Sequence, residues 1–409
     1  MRVVSFSLVV PYVGIPHAGG ELYLRHLTVL EELGHSVTVV APSTELNRRA
    51  ADRPGAPPSL ILVHPDRMRP SADAIWALAR PDAIRPSMRR AFRADTAVRD
   101  AVDAADVVEA QWAEMAFALG SRHRTQGSVL VVHDIPAQRE WRWLQAAWRQ
   151  RSPRKLIWRS WRTAVVSVTQ IPALRAADIT LVLSEKDAAL AARSTRASRI
   201  SVIDPVIWLG SDESAREDVA KVALFVASFG RRENAEAAVW LLDDVWPLVR
   251  AEHPDAELVL AGHGPPRHLV DLAARTPGVT VTGFVDSLDP YYASARVVLV
   301  PLRSGAGVKL KTIEALVRGK RIVATSIGAE GVIDVTGSHP FAVVDDARRF
   351  ARETALALRT PGGADPLITE WARARYGREQ YRAALERTLS TIIAGRPPGD
   401  RIRGDSVSR

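Results

Sequence analysis

Residues 301–315 read Pro-Leu-Arg-Ser-Gly-Ala-Gly-Val-Lys-Leu-Lys-Thr-Ile-Glu-Ala, and this stretch is the most informative part of the sequence. It follows the apolar, β-branched run 297–300, which predicts a buried strand. It leads into a helical pattern with Ile313, Leu316 and Val317 on one side. Two glycines and two lysines therefore lie where a parallel strand meets a helix, and in open α/β sheets that position is the ligand crevice.

The chemistry of this stretch indicates a nucleoside diphosphate. Gly305 and Gly307 let backbone N–H groups approach a phosphate, the helix N-terminus favours an anion, and Lys309 and Lys311 add positive charge. Glu314, about one turn further on, suits hydroxyl groups such as those of a ribose. The alternative is a glycine-rich turn with solvated lysines. The surrounding motifs favour the nucleotide site.

Four other segments pair an apolar run with a glycine turn. They are 222–230, 258–265, 281–286 and 325–331. Together with 301–315, and in this order, they resemble the donor-site motifs of retaining glycosyltransferases of the GT-B fold, family 4-like (group 1). The resemblance covers most of residues 1–390 and is strongest over 222–331. It implies an α/β protein with two Rossmann-like, parallel-sheet domains facing across a cleft.

Size and patterning agree with two such domains. The chain has 409 residues, of which 47% are apolar and 25% charged, so each half can bury a core of its own. Strand and helix patterns alternate throughout, which is typical of parallel sheets covered by helices. We expect an acceptor-binding domain over 1–205 and a nucleotide-sugar domain over 206–367. A terminal helix at about 368–393 should return to the first domain, and 395–409 should be a disordered tail.

The predicted strands fall into two sets. The first half offers 3–10, 36–41, 59–63, 107–109, 128–132, 179–183 and 199–203. The second half offers 222–227, 257–261, 279–282, 296–300, 321–325 and 341–344.

The resemblance assigns roles to residues that match the family motifs. Catalytic roles, as stabilisers of the leaving group or of the transferred sugar, go to His133, Lys309 and Arg231. Donor-binding roles go to Gly19, Gly20, Gly230, Arg232, Gly262, Phe284, Gly305, Gly307, Lys311, Glu314 and Glu330. By their position at strand ends or in the opening loop, His17, Glu109, Gln111 and Asp134 are candidates for binding the acceptor.

The chain departs from the commoner family pattern in two places. Many members carry two glutamates eight residues apart, and here Glu314 stands for the second while the first is missing. Members with that pattern also place a lysine shortly after the second domain's first glycine turn, where this chain has Arg231, Arg232 and Asn234. We expect Lys309, with Lys311 in a lesser role, to supply the charge. Residues two apart near a helix start point differently, so only Lys309 should face the diphosphate.

Several classes of chemistry are excluded by the residues. The chain has no cysteine, so it has neither disulfides nor a thiolate nucleophile. It contains no Asp-x-Asp and no metal-ligand spacing. We therefore expect a metal-independent enzyme without a cofactor, in which cationic side chains and helix N-termini meet the charge of the leaving phosphate. No run reaches the roughly 20 apolar residues of a transmembrane helix.

Residues 139–162 concentrate the positive charge. They hold eight basic residues against Glu140 alone, and five of the eleven tryptophans. An amphipathic helix pair of this composition suits an anionic membrane surface. The alternative is a pair of ordinary domain helices whose tryptophans pack on the sheet. The protein is accordingly expected in the cytoplasm, either free or peripheral at the inner membrane face.

The sequence thus predicts a retaining glycosyltransferase that moves a sugar from a nucleoside diphosphate sugar to an acceptor hydroxyl on a glycan, a lipid-linked or a small molecule. One alternative is a nucleotide-sugar epimerase of the same fold, which needs no acceptor. A second is a nucleic-acid-binding protein that uses the Trp/Arg segment, but no known module fits and the charge is local, so we expect no nucleic-acid partner.

Overall fold

The computed structural model describes residues 1–15, 18–64, 84–119, 126–149, 152–196, 199–207, 220–333 and 339–394. The chain divides into two compact units, one formed by Met1–Asp204 with the segment from Tyr381 onward, the other by Pro205–Gln380. The predicted tail 395–409 lies outside the described residues.

The first unit is built on a parallel sheet. Its seven strands run in the order β3-β2-β1-β4-β5-β6-β7. The strands are β1 Arg2–Phe6, β2 Ser36–Pro42, β3 Leu60–Val63, β4 Val107–Gln111, β5 Gly127–Val132, β6 Ile179–Val182 and β7 Ile200–Val202. The described helices are α1 Ala18–Glu32, α2 Glu45–Ala51, α3 Pro86–Ala94, α4 Thr96–Asp103, α5 Pro136–Arg149, α6 Pro153–Ala176 and α7 Glu185–Ala191, with a 3-10 helix at Ala113–Leu119.

The second unit repeats the plan with six parallel strands in the order β10-β9-β8-β11-β12-β13. The strands are β8 Val222–Val226, β9 Glu257–Ala261, β10 Val279–Gly283, β11 Val297–Val300, β12 Arg321–Ala324 and β13 Ala342–Val343. The described helices are α8 Arg232–Trp240, α9 Trp246–Glu252, α10 Arg267–Arg275, α11 Asp289–Ser294, α12 Leu310–Val317, α13 Ala347–Arg359 and α14 Pro366–Tyr376, with a π-helical turn at Leu241–Val245 between α8 and α9. The last helix, α15 Arg378–Ala394, begins here and continues into the first unit.

The strands form because β-branched runs can be buried on both faces of a parallel sheet. Strand β11 is Val-Val-Leu-Val and all four residues are buried. Each predicted strand corresponds to an observed one. The first is shorter than the predicted 3–10, because the chain leaves the sheet at Ser7, whose hydroxyl bonds the backbone of Val9.

The end of the chain differs from the predicted single helix over 368–393. The helix breaks at Gly377, and α14 remains in the second unit because Ile368, Ala372 and Tyr376 are part of that unit's hydrophobic core. Only α15 belongs largely to the first unit. None of the helices in the described part of the chain is long and apolar enough to cross a membrane.

Candidate functional site

The sheet order determines where a ligand can bind in the second unit. The first three strands are added in one direction across the sheet and the last three in the other, and this reversal of strand order falls between the parallel neighbours β8 and β11. Ligands of open α/β sheets bind beyond the carboxyl ends of the strands at such a point. The loops after β8, β9, β11 and β12, together with the helices that follow two of them, hold most of the predicted donor-binding residues.

The loop after β11 is held in shape by the ammonium group of Lys309. Gly305 and Gly307 have φ values of 124° and 74°, which side chains rarely tolerate. The carbonyl of Gly307 accepts a hydrogen bond from Lys309 Nζ at 2.6 Å, and that of Ala306 accepts one at 3.1 Å. The turn is therefore fixed from inside by a cation.

Glu330, in the turn after β12, completes this arrangement. Its Oε2 lies 3.4 Å from Lys309 Nζ, and both side chains are buried. The backbone N–H of Lys309 also donates to the carbonyl of Glu330. Removing one member of a buried ion pair leaves the other charge uncompensated, so the pair is a strong constraint on both loops. This placement differs from the prediction that Lys309 faces the diphosphate.

Lys311 lies in the first turn of α12, and its side chain reaches the segment that follows β8. Its Nζ donates to Asn234 Oδ1 at 3.0 Å and lies 5.1 Å from the centre of the Phe225 ring. Burial, followed by the charges of Lys309 and Arg231, lowers the pKa of Lys311 from 10.5 to about 7. Several positive charges converge here, and such a place favours an anion.

Asn234 is a site residue that the sequence mentioned only as a substitute for the missing lysine. Its Nδ2 donates to the carbonyl of Ser228 at 2.7 Å, so the amide is oriented with its oxygen toward Lys311. Asn234 thus joins the loop after β8 to the start of α12. An Asn in the first turn of a helix gives no signal for this, because its partner is 77 residues away.

The glycines of the loops after β8 and β9 allow close approach of two backbones. At Gly262, φ is 141° and a Cβ would lie 1.9 Å from the carbonyl oxygen of Ala227. Gly230 also lies next to Gly264, but its would-be Cβ would be at an ordinary contact distance of 3.5 Å from the Gly264 carbonyl oxygen. Packing within the unit therefore requires glycine at position 262.

The remaining predicted donor residues lie on the rim of these loops. Arg231 pairs with Glu233 at 2.8 Å and Arg232 with Glu236 at 2.6 Å, and both arginines are largely exposed. Phe284, just after β10, is 66% exposed, with its ring edge-on to His263. An exposed aromatic ring at a strand end is available for stacking.

Glu314 lies in α12 with part of its carboxylate accessible. Its Oε1 accepts a hydrogen bond from Arg318 at 3.3 Å, and Arg318 also pairs with Asp289 at 2.6 Å. Burial, then the nearby Glu314 charge, raises the pKa of Tyr292 beneath them. Glu314 is therefore a carboxylate oriented by an arginine.

In the first unit, the loop after β1 leads to Gly19 and Gly20, which lie in the first turn of α1. Gly20 is buried and Gly19 is partly accessible. The predicted acceptor residue His17 lies outside the described residues. The N-terminus of a helix carries a partial positive charge, which favours an anion near this turn.

His133 and Asp134 follow β5 at the carboxyl edge of the first sheet. The His133 ring stacks on Trp112, with centroids 4.5 Å apart and planes at 14°, and its Nε2 lies 2.9 Å from Gln111 Oε1. Asp134 pairs with Arg139 at 2.8 Å. Trp112 has a φ of 68°, a conformation rare for a bulky residue and often found at functional sites.

Glu109 and Gln111 are not on the surface where an acceptor was predicted to meet them. Both are buried at the end of β4, and Gln111 Nε2 donates to Glu109 Oε1 at 2.7 Å. Glu109 also accepts hydrogen bonds from Ser5 and His26. Alternation along the strand does not reveal this, because β4 is buried on both faces. Of the polar residues beside it, His26 was missed in the sequence, since it lies 83 residues away on α1.

The comparison with known proteins bears first on the second unit. Residues 220–359 match the model of the family described as glycosyl transferases group 1. Over this segment the chain is similar to the group 1 glycosyltransferases. The resemblance derived from the motifs is thereby confirmed for the part of the chain in which it was strongest.

A curated relative extends the similarity only over a limited length. An uncharacterised 44.6 kDa protein in the cps region of Klebsiella pneumoniae is 31% identical over 115 residues. That match covers 26% of this chain and 30% of the relative.

Solved structures resemble the chain over nearly its whole length. Sucrose-phosphate synthase from Thermosynechococcus elongatus has a TM-score of 0.63 at 18% identity, covering 97% of this chain and all of the other. HepE of Anabaena, in complex with UDP and glucose, has a TM-score of 0.62 at 13% identity, covering 96% and all of the other. Together with the two parallel sheets, these likenesses confirm the predicted GT-B fold class.

Proposed function

We propose that the chain is a glycosyltransferase that moves a sugar from a nucleoside diphosphate sugar to an acceptor hydroxyl, without a metal ion and with retention at the anomeric carbon. The observation that carries the proposal is the loop 301–309. It is braced from within by Lys309 and flanked by Lys311 and Arg231, and it enters α12 at the carboxyl edge of the sheet. Such a place stabilises a diphosphate.

The donor's nucleotide is recognised by the second unit in this proposal. Backbone N–H groups at Gly305 and Gly307, with Lys311 and Arg231, bind the diphosphate. The Glu314 carboxylate accepts from the ribose hydroxyls, and Phe284 stacks on the base. Lys309 and Glu330 hold the loop in place, and Gly230 and Gly262 allow the backbone close to the nucleotide. Arg232, on the rim, adds positive charge.

Transfer breaks the bond between the anomeric carbon and the phosphate oxygen and forms one to the acceptor oxygen. The acceptor's proton passes to the leaving phosphate, which the cations and the first turn of α1 at Gly19–Gly20 stabilise. His133 acts beside the transferred sugar. Asp134 and His17 remain our candidates for acceptor contacts.

Nucleotide binding tests the donor part of this proposal. UDP is the first probe, because the HepE complex contains it, and GDP and ADP cover other bases. Calorimetry should give the tightest binding for one nucleoside diphosphate and at least about tenfold weaker binding for its monophosphate, since charge-assisted phosphate contacts contribute about 1.5–3 kcal/mol each. Equal affinities for the monophosphate and diphosphate would contradict a diphosphate site.

We also propose that the acceptor lies at an anionic membrane surface, which places the enzyme at the cytoplasmic face. Helices α5 and α6 pack against each other. The buried carboxylate of Glu140 joins them by accepting from Arg159 and Arg162. The outer surface of the pair exposes large apolar side chains, namely Trp141, Trp148, Ile157, Trp158 and Trp161.

The positive charges beside these apolar side chains favour an anionic membrane as the partner of this surface. Arg154 and Lys155 are exposed beside Ile157 and Trp158. Indoles prefer the membrane interface, and each cation near an anionic surface contributes on the order of 1 kcal/mol. Plain packing does not account for Trp148 and Ile157, which are 72% and 74% exposed.

Vesicle co-sedimentation tests the membrane part. The protein should bind vesicles with 30% phosphatidylglycerol, as a chosen composition, more strongly than neutral ones, and added salt should weaken the binding. The double variant W148S/I157S should lose it. Leu46→Ser, at a residue of equal exposure on α2, is the matched control and should bind like the wild type. If anionic and neutral vesicles bind equally at low salt, the acceptor is soluble.

A further inference from the structure

A buried polar network lies behind His133, and its centre is Glu109. Both carboxylate oxygens accept hydrogen bonds inside the protein. Oε1 accepts from Ser5 Oγ and Gln111 Nε2, each at 2.7 Å, and Oε2 lies 2.7 Å from His26 Nε2. Burial opposes ionisation of Glu109, but the His26 charge and these hydrogen bonds outweigh it and lower its pKa. Glu109 is therefore a carboxylate, which can only accept.

An acceptor-only centre fixes the direction of the hydrogen bonds that reach it. Burial, then the Glu109 charge, raises the pKa values of Tyr23 and Tyr381, so both phenols keep their protons. Tyr23 donates to Ser5 at 2.8 Å, and Ser5 donates to Glu109. Tyr381 Oη lies 2.8 Å from His26 Nδ1, and His26 Nε2 donates to Glu109.

Gln111 connects Glu109 to His133. Because the Gln111 amide nitrogen donates to Glu109, its oxygen is the atom that faces His133 Nε2 at 2.9 Å. An amide oxygen can only accept, so Nε2 of His133 carries a proton. In the neutral ring Nδ1 is then the acceptor, and the stacking of the ring on Trp112 holds its plane.

We propose that Glu109, acting through Gln111, is a positioning residue that keeps the proton of His133 on Nε2. Nδ1 is then the hydrogen-bond-accepting nitrogen of the ring during sugar transfer. The inference rests on the proposed function, in which His133 acts beside the transferred sugar. It gives Glu109 and Gln111 a role other than acceptor binding. A second residue that fixes the tautomer of a catalytic histidine is a recurrent device, because the wrong tautomer cannot make the required bond.

The test combines a spectroscopic and a kinetic measurement. Long-range ¹H–¹⁵N spectra of the imidazole of His133, assigned with His133→Gln, report which nitrogen carries the proton. The wild type should show the Nε2–H form. In Glu109→Gln the new amide can present its NH2 group to Gln111, so that the Gln111 amide turns and its own NH2 group faces His133. In Gln111→Met the oxygen that accepts from His133 Nε2 is removed. Both variants should show a mixture of tautomers or the Nδ1–H form.

Kinetics with the nucleotide sugar that the wild type accepts should follow the spectra. We expect kcat to fall at least about tenfold in both variants, with KM for the donor changed less than twofold, because the nucleotide site lies in the other unit. Ser5→Ala is the matched control: it removes a hydrogen bond from the same Glu109 oxygen but does not lie on the path to His133. It should keep the wild-type tautomer and kcat.

Three results would overturn the proposal: a wild-type His133 in the Nδ1–H form, an unchanged tautomer in both folded variants, or an equal loss of kcat in Ser5→Ala. Thermal unfolding shows which variants are folded, and Gln111→Met serves if Glu109→Gln is not. A wild type that turns over a nucleotide sugar with Nδ1–H at His133 refutes the inference and leaves the proposed function intact. A wild type with Nε2–H that turns over no donor refutes the proposed function instead.

Discussion

Lys311 should take up a proton when a nucleoside diphosphate binds. Burial and the charges of Lys309 and Arg231 lower its pKa to about 7, so near pH 7.5 about a quarter of the molecules carry the charge. A diphosphate beside the ammonium group favours the charged form and raises the pKa again. Binding at pH 7.5 should therefore be accompanied by uptake of up to about three-quarters of a proton.

Calorimetry with UDP in phosphate and in Tris at pH 7.5 measures this uptake, because the two buffers differ in ionisation enthalpy. In Lys311→Met the difference should largely vanish, and affinity should fall about tenfold or more, as expected for a lost charge-assisted contact of roughly 1.5–3 kcal/mol. Lys221→Met is the matched control. Lys221 precedes β8 at the opposite end of the strand and pairs with Asp255, so its loss should change neither quantity.

Lys311→Met should make the folded protein more stable, although it weakens UDP binding. The folded pKa of Lys311, about 7, lies below the ordinary 10.5, so the unfolded chain binds more protons between these values. Stability then rises with pH across this window by up to about 1.4 kcal/mol per pH unit. Lys311→Met removes this cost and should raise Tm by roughly 2–5 °C at pH 7.5. Equal heats of UDP binding in both buffers, together with unchanged affinity in the variant, would show that Lys311 does not bind the diphosphate.

The other predictions concern the same unit. Glu314→Gln should weaken UDP binding about tenfold in calorimetry while Tm stays within about 2 °C, because the amide loses an acceptor for the ribose; unchanged affinity would remove Glu314 from the site. Lys309→Met should lower Tm as well as UDP affinity, since it leaves Glu330 buried without its cation; a Tm equal to that of the wild type would contradict the bracing role. Gly262→Ala should lower Tm by several degrees in thermal unfolding, because its Cβ would overlap the Ala227 carbonyl; a stable variant would mean that the loops are not so close. Activity should persist in excess EDTA, and loss that magnesium or manganese restores would show that a metal ion takes part.

The strands and their loops could be predicted because their signals are local. A β-branched run such as 297–300 is buried on both faces, and a glycine pair after it indicates a loop near a ligand. The family match at 220–359 covers the same motifs. Periodicity within about ten residues was sufficient for these features.

Side-chain partners could not be predicted because they depend on distant parts of the chain. The spacing of Lys309 and Lys311 indicated that they point differently, but it did not show that Glu330 and two carbonyls take up Lys309. Glu109 was placed near an acceptor by its position at a strand end. Its actual partners, Ser5 and His26, come from β1 and α1, 104 and 83 residues away.

The most direct test of the account is turnover of nucleotide sugars by the purified protein. A panel of UDP-, GDP-, ADP- and dTDP-sugars is incubated without acceptor, and release of the nucleoside diphosphate is measured, because water can take the place of the acceptor hydroxyl. We expect release from donors of one base class, faster than in a no-enzyme control and reduced at least about tenfold in Lys311→Met and in Glu314→Gln. Release from no donor of the panel, or equal release by the wild type and both variants, would contradict it.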